Sequence, residues 1–228
     1  MKMLSIDSSG KTAAAAVTDN GNILAQSFTD SGFTHSQTLL LLIDNVLKLS
    51  GTDISEIDEF ALTAGPGSFT GLRIGTSLIM GLAGDRPCRP VSSLCALAYN
   101  MLYERGIIIP VMDARRSQVY TAVFESDGGN ITRLEPDEAL SVEDVLERIG
   151  GYCEKESVWI LGDGAYLFED AVKVYANVGF PIDKLMYTRG FGVAAAAMTV
   201  NAVSAKEIKL NYLRMSQAER ELKERKNK

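Results

Sequence analysis

One order of elements occurs twice along this chain of 228 residues. Residues 3–7 (MLSID) read as a short apolar strand ending in an acid, and residues 107–113 (IIIPVMD) read the same way. Each is followed by a polar turn, SSGK or ARRS, and then by a second strand, 12–17 (TAAAAV) or 118–125 (QVYTAVFE). A second turn, DNGN or SDGGN, leads to a third strand, 23–28 (ILAQSF) or 131–135 (ITRLE). A helix, a strand, a glycine loop and another helix complete each half. Composition alone leaves TAAAAV open between helix and strand, but the turns on both sides favour strand. Asp7 and Asp113 hold equivalent places at the end of each half's first strand. The repetition lies in element order, not in residue identity, and no linker composition separates the halves. It predicts a duplicated α/β chain with lobes at 1–105 and 106–205 and a mixed-charge tail at 206–228.

The length is enough to bury a substantial core. Hydrophobic residues at 46% and charged residues at 23% are ordinary for a globular protein and exclude a disordered chain. No uncharged apolar run approaches the roughly 20 residues that span a bilayer; the longest of note, Phe191–Ala205, is too short. The N-terminal residues lack a basic patch followed by an apolar signal core, so a cytoplasmic protein is expected. Cys88, Cys95 and Cys153 have no CxxC spacing, which points to reduced thiols. The single histidine, His35, rules out a metal site of two or three histidines within one chain. Net charge is −3 over residues 1–100, −7 over 101–204 and +4 over 205–228. The body should therefore repel a phosphate backbone, and in the tail the cations alternate with acids.

The segment THSQTLLLLIDNVLKLSG carries a helix, with Thr34 or Ser36 as its cap and Gly51 as its stop. Leu39, Leu40, Ile43, Val46 and Leu47 form one stripe, while Leu41, Leu42 and Leu49 lie outside it. Such a helix buries a second face, either inside the chain or against another subunit. Strand 57–64 enters the loop GPGSFTG (65–71), and the helix Leu72–Ala83 follows, dotted with Gly75, Ser77 and Gly81. Further helices are expected at Leu94–Arg105, at 141–149 and from Ala165 to Ala176.

Free amides at a helix N-terminus beside a glycine loop suit a phosphate or carboxylate. The loop is not a Walker motif, because the Gly-Lys-Ser/Thr ending is absent. A possible vestigial phosphate site comprises Asp7, Gly65, Gly67, Ser68, Thr70 and Arg73. The alternative is a tight turn that binds nothing, with Asp7 accepting turn amides. For Asp113 an ion pair with Arg115 or Arg116 is the plainer reading, and Asp163 and Asp170 read as solvated or capping acids. His35 has Leu39 one turn later, so it cannot complete a His-x3-His pair.

MLSIDSSGKTAAAAV, HSQTLLLLI, AGPGSFTGLRIG, VMDARRSQVY, LGDGA and NYLR occur in the order found in the TsaB (YeaZ) family, which the chain resembles over nearly its whole length. The resemblance implies the actin-like ATPase and sugar-kinase (ribonuclease H-like) fold, with two lobes of mixed sheets flanked by helices. It also implies no catalytic residue in this chain, but a scaffold or dimerisation role beside a TsaD-like subunit. That subunit transfers a threonylcarbamoyl group to N6 of adenosine 37 in tRNAs reading ANN codons. A TsaE-like ATPase engages the pair, and tRNA is met indirectly through the complex. The metal belongs to the TsaD partner, no cofactor is firmly bound here, and ATP or ADP is met at most at the complex interface. The partner surface would come from the two helices through His35, Leu39, Leu41, Leu42, Leu49, Ile74, Leu78 and Gly81, and a homodimer forms when the partner is absent. Gln37 stands where the family often has Glu, and Leu41 and Leu210 where it often has Pro. The rival readings are an autonomous ATP-dependent kinase on the same fold and a peptidase, the latter disfavoured by the lone histidine.

Overall fold

In the computed structural model, residues 1–214 are described; the expected helical spacing of the tail beyond them lies outside the described residues. The first half forms strands β1 (Lys2–Asp7), β2 (Ala13–Asp19) and β3 (Asn22–Thr29), helix α1 (His35–Ser50), β4 (Glu59–Thr63), helix α2 (Phe69–Ala83) and β5 (Cys88–Val91). The second forms β6 (Arg105–Asp113), β7 (Gln118–Asp127), β8 (Ile131–Ser141), α4 (Val142–Cys153), β9 (Val158–Leu161) and β10 (Val178–Gly179). The short helix α3 (Ser93–Ala98) lies between the halves in sequence, and α5 (Gly190–Ala197) follows them. The sheet orders are β3-β2-β1-β4-β5 and β8-β7-β6-β9-β10. In each, three antiparallel strands join two parallel ones through the half's first strand. The repeated element order is thus a repeated topology.

Covering layers explain the residue choices. Ala13–Val17 is completely buried in β2, with α1 against the strand and Gly190 of α5 tight on Ala15 and Ala16. Methyl side chains let a helix approach closely there, which is why a strand is built of alanine despite that residue's helix preference. Capping begins α1: the amide and hydroxyl of Thr34 both donate to Oε1 of Gln37, at 3.1 and 2.8 Å. Gly51, left-handed at φ 63°, ends it. Leu39, Ile43 and Val46 point into the first core, as expected. Leu40 does not: it is exposed because the buried stripe of α1 is narrower than the run of leucines.

Other boundaries move. The helix expected at Leu94–Arg105 stops at Ala98, followed by a 3-10 turn at Tyr99–Met101, because Arg105 is already paired with Asp127 in β6–β7. The helix expected from Ala165 to Ala176 is two separate 3-10 turns, with Phe168 and Val172 anchored in the second core. Residues 88–91 form edge strand β5, where Pro90 is tolerated.

The apolar stretch beginning at Phe191 forms α5, which lies within residues 106–205 yet packs on β1, β2, β4 and β5 of the first sheet. Ser5 Oγ donates to the Gly190 carbonyl at 2.8 Å at one end of this helix. At the other, Arg89 Nη1 donates to the carbonyls of Ala197 (3.3 Å) and Val200 (2.6 Å) while Arg89 Nε pairs with Glu59 at 2.5 Å. The two ionic side chains are only 19% and 14% exposed. Removing one partner of a shielded pair leaves the other charge and two carbonyls unmatched. Arg89→Ala is expected to cost about 2 kcal/mol, lowering the thermal midpoint by roughly 4–8 °C in a chain of this size. Calorimetry checks it; a midpoint unchanged within 1 °C or so would remove Arg89 from the account of how α5 is held.

Candidate functional site

The first strands of both sheets end at a common cleft of about 1270 Å³ between the lobes. Its first wall is made by Ser9–Lys11 and by residues 67–70 at the start of α2; its second by residues 112–116, Gly162, Asp163 and Tyr166. Ligands of open α/β folds occupy this kind of position, at the carboxyl ends of parallel strands.

Asp7 does not present its carboxylate to the open cleft. Only 1% exposed, it accepts on Oδ1 from the Ser9 amide (3.1 Å), the Ser9 hydroxyl (2.6 Å) and the Thr63 hydroxyl (2.7 Å). This is the turn-accepting arrangement, made on one of the two carboxylate oxygens. Burial pushes the carboxyl above its usual range, against the pull of those hydrogen bonds. A folded-state value above the unfolded one means that stability is lost as pH rises past the ordinary carboxyl value of about 3.9. Asp7→Asn removes that loss, so the midpoint difference between variant and wild type is expected to move in the variant's favour as pH rises. Thermal melts across the acid-to-neutral range test it, and a difference independent of pH would contradict it. Asp163 shares the direction of shift but is present in both proteins, so it drops out of the comparison.

The six residues of the expected phosphate site do not converge. Gly67, Ser68 and Thr70 line the cleft. The Ser68 amide is used by the Ser9 carbonyl (2.7 Å), and the Ser68 hydroxyl caps α2 through the Gly71 amide (3.2 Å). Gly65 packs beneath Asn211, Arg73 turns outward to donate to the Tyr212 hydroxyl at 3.1 Å, and Asp7 is enclosed. These residues do not fit a nucleotide phosphate with its metal ion.

On the second wall, Asp113 accepts from the Arg115 amide at 2.6 Å, not from a guanidinium, and Tyr166 donates to its other oxygen at 3.3 Å. Arg115, Arg116 and Ser117 all adopt positive φ (63°, 57° and 54°), an unusual run for residues other than glycine. Asp163 is neither solvated nor a helix cap: it accepts the Asp113 amide at 2.9 Å, and burial, with the neighbouring Asp113 charge adding to it, raises its carboxyl above the usual range. Asp170 is the exposed acid expected, paired with Lys173. Sequence reasoning missed Lys11, Tyr187 and Arg214 as cleft residues, and took the Asp163 side chain for a solvated or capping acid.

Outside the cleft, the expected partner surface divides by exposure. Leu41 and Leu49 are 66% and 67% exposed, and Gly81 has open space beside it. His35, Leu42, Ile74 and Leu78 are half-buried, His35 donating from Nε2 to the Gly10 carbonyl at 3.0 Å. Leu39 is completely buried in the first lobe's own core and cannot meet a partner. Leu40 and Met80, not among the expected contacts, are exposed on the same two helices. Among the described residues no helix is long and apolar enough to cross a membrane.

Two sheets of one topology, opening on a shared cleft at the ends of their first strands, define a duplicated actin-like ATPase and sugar-kinase fold. A YeaZ-like protein from Pseudomonas aeruginosa superposes with a TM-score of 0.79 at 24% identity, over 93% of this chain and 99% of that one. The ethanolamine utilization protein EutJ from Carboxydothermus hydrogenoformans shares the fold more distantly, with a TM-score of 0.54 at 17% identity over 86% and 90%. The family model for TsaD, tRNA N6-adenosine threonylcarbamoyltransferase, matches residues 29–216. The tRNA threonylcarbamoyladenosine biosynthesis protein TsaB of Bacillus subtilis is 30% identical over 96% of both chains. Its counterpart in Escherichia coli is 34% identical over 65% of this chain and 66% of that one. The chain belongs to the TsaD-like family of threonylcarbamoyladenosine proteins, in its TsaB branch.

Proposed function

We propose that this chain is the non-catalytic scaffold of the assembly that places a threonylcarbamoyl group on N6 of adenosine 37 in tRNAs reading ANN codons. Its partners are a TsaD-like catalytic subunit and a TsaE-like ATPase, and the setting is cytoplasmic. The observation that carries the reading is the apolar exposure of α1, where Leu41 and Leu49 stand two-thirds in solvent on a helix whose opposite face is already buried. A large aliphatic side chain gains about 1.5–3 kcal/mol on full burial, so these leucines favour a protein surface that covers them. The enclosed Asp7 and its three protein donors support the absence of phosphoryl transfer in this subunit. No cofactor resides here; nucleotide is met at the complex interface and metal in the catalytic partner. Alone, the chain uses the same helices to pair with a second copy.

Reconstitution tests this. Purified TsaD-like and TsaE-like subunits, supplied with an activated threonylcarbamoyl donor, ATP and unmodified tRNA, should form the modified nucleoside only when this chain is added. Asp7→Asn should support the same yield. Full modification without the chain would sink the scaffold role. Loss of modification with a folded Asp7→Asn protein would favour the kinase-like alternative.

A further inference from the structure

The motif NYLR, residues 211–214, has no part in the proposed function, yet its four residues run from one lobe to the other across the cleft mouth. The Asn211 amide donates to the Ala64 carbonyl of the first lobe at 2.7 Å. A side chain at position 65 would meet the Asn211 carbonyl at 2.3 Å, so the GPG loop and the segment are fitted backbone to backbone. Tyr212 lies flat on Phe69 at the start of α2, with ring centres 4.3 Å apart and planes 2° from parallel, and its hydroxyl accepts from Arg73. Leu213 packs into the cluster formed by Leu94 and Leu97 of α3 with Ile108, Met112 and Phe124 of the second sheet. Arg214 Nη1 donates to the carbonyls of Ala114 and of Arg115, the first residue of the positive-φ run on the far wall.

Elsewhere the lobes meet through an apolar base, where α3 packs against α5 and against β6 and β7, and through Tyr187, whose ring stacks on Phe28 (centres 6.4 Å apart) and lies under Lys11 Nζ at 4.7 Å. An apolar contact is non-directional and lets packed elements slide by small amounts, whereas the hydrogen bonds and ring stacking of residues 211–214 fix separation and angle. A strained turn persists where its surroundings over-determine it, and Arg214 supplies that constraint to residues 115–117.

We propose that residues 211–214 are an interlobe strap: they set the aperture of the cleft and the shape of the 113–117 turn, and their release lets the lobes open about the base formed by α3 and α5. The strap acts in the isolated chain and does not depend on the role proposed for the assembly.

The experiment is a distance measurement between spin labels on the full chain, one on each wall, at Thr70→Cys and Glu169→Cys; both positions are exposed. Arg214→Ala, which removes the two carbonyl contacts, should shift the distance distribution to longer values and broaden it. Arg214→Lys keeps the charge but loses the planar fork, and should give an intermediate distribution. Tyr212→Ala should open the cleft from the other end of the strap. An unchanged distribution in Arg214→Ala and Tyr212→Ala would overturn the proposal, even if their melting points fell, because the contacts would then be local packing alone. Loss of cooperative folding in both would overturn it as well, since a strap is separable from the lobes it joins.

Discussion

Leu41→Glu is expected to weaken assembly with the TsaD-like subunit by roughly one to three orders of magnitude while leaving the isolated chain folded. Leu41 is 66% exposed, so the new carboxylate costs the monomer little. In an interface the same change replaces a buried aliphatic contact by an unpaired charge, a penalty of the size seen at hot spots, about 2–4 kcal/mol. Affinity should fall by roughly 30-fold to 1000-fold, and modified tRNA in the reconstituted reaction should fall with it. Titration calorimetry against the partner reads the affinity, and circular dichroism confirms the fold. Leu39→Glu is the contrasting variant: Leu39 is in the core, so that change should unfold the chain rather than uncouple it. Wild-type affinity in a folded Leu41→Glu protein would move the partner surface off α1.

A large stability effect is also expected from a single methyl group at Gly71. Helix propensity alone predicts that Gly→Ala within α2 stabilises by about 1 kcal/mol. At position 71 a Cβ would stand 2.1 Å from the Ser8 carbonyl and 2.9 Å from the His35 ring, which lie in the Asp7 turn and at the start of α1. The carbonyl is backbone and cannot swing aside, and Ser8 Oγ also donates to the Gly71 carbonyl at 2.9 Å. Overpacking should dominate, at about 3 kcal/mol or more, and the thermal midpoint should drop by roughly 6–12 °C. Gly81→Ala, on the same helix with nothing within 4 Å of the added atom, should raise the midpoint instead. Opposite signs at the two positions are the result to look for; a gain at both would mean that α2 does not sit as tightly on the Ser8 turn as described.

What was legible in the residues depended on how local each cause was. Turns such as DNGN, the Thr34–Gln37 cap and the Gly51 stop are written within a few residues, and so the repeated element order could be read directly. TAAAAV read as strand because its flanking turns spoke for it, although the alanines serve the helices packed on it. The cleft was less legible. Whether Asp7 faces solvent or three donors is decided partly by Thr63, 56 positions away. Asp163 looked like an ordinary loop acid until its partner, the Asp113 amide, was brought to it by the pairing of β6 with β9. In α1 the leucine run overstated the buried stripe, since apolar character alone could not separate Leu39, wholly buried, from Leu40, which is exposed. The family resemblance pointed to α1 and α2 as a surface but could not say which of their residues are exposed.

The placement of α5 bears on how the chain is made. A ribosome finishes all five strands of the first sheet by Val91, but the helix that covers one of its faces ends at Ala197. At roughly 5–20 residues per second, that face waits about 5–20 s for its cover. During this interval Ala61, Val91 and Met3, all buried in the finished molecule against α3 and α5, stand open to whatever else is in the cell. A nascent chain stalled after residue 150 should therefore be held by a chaperone or bind a hydrophobic dye, and one stalled long enough to release α5 from the exit tunnel should not.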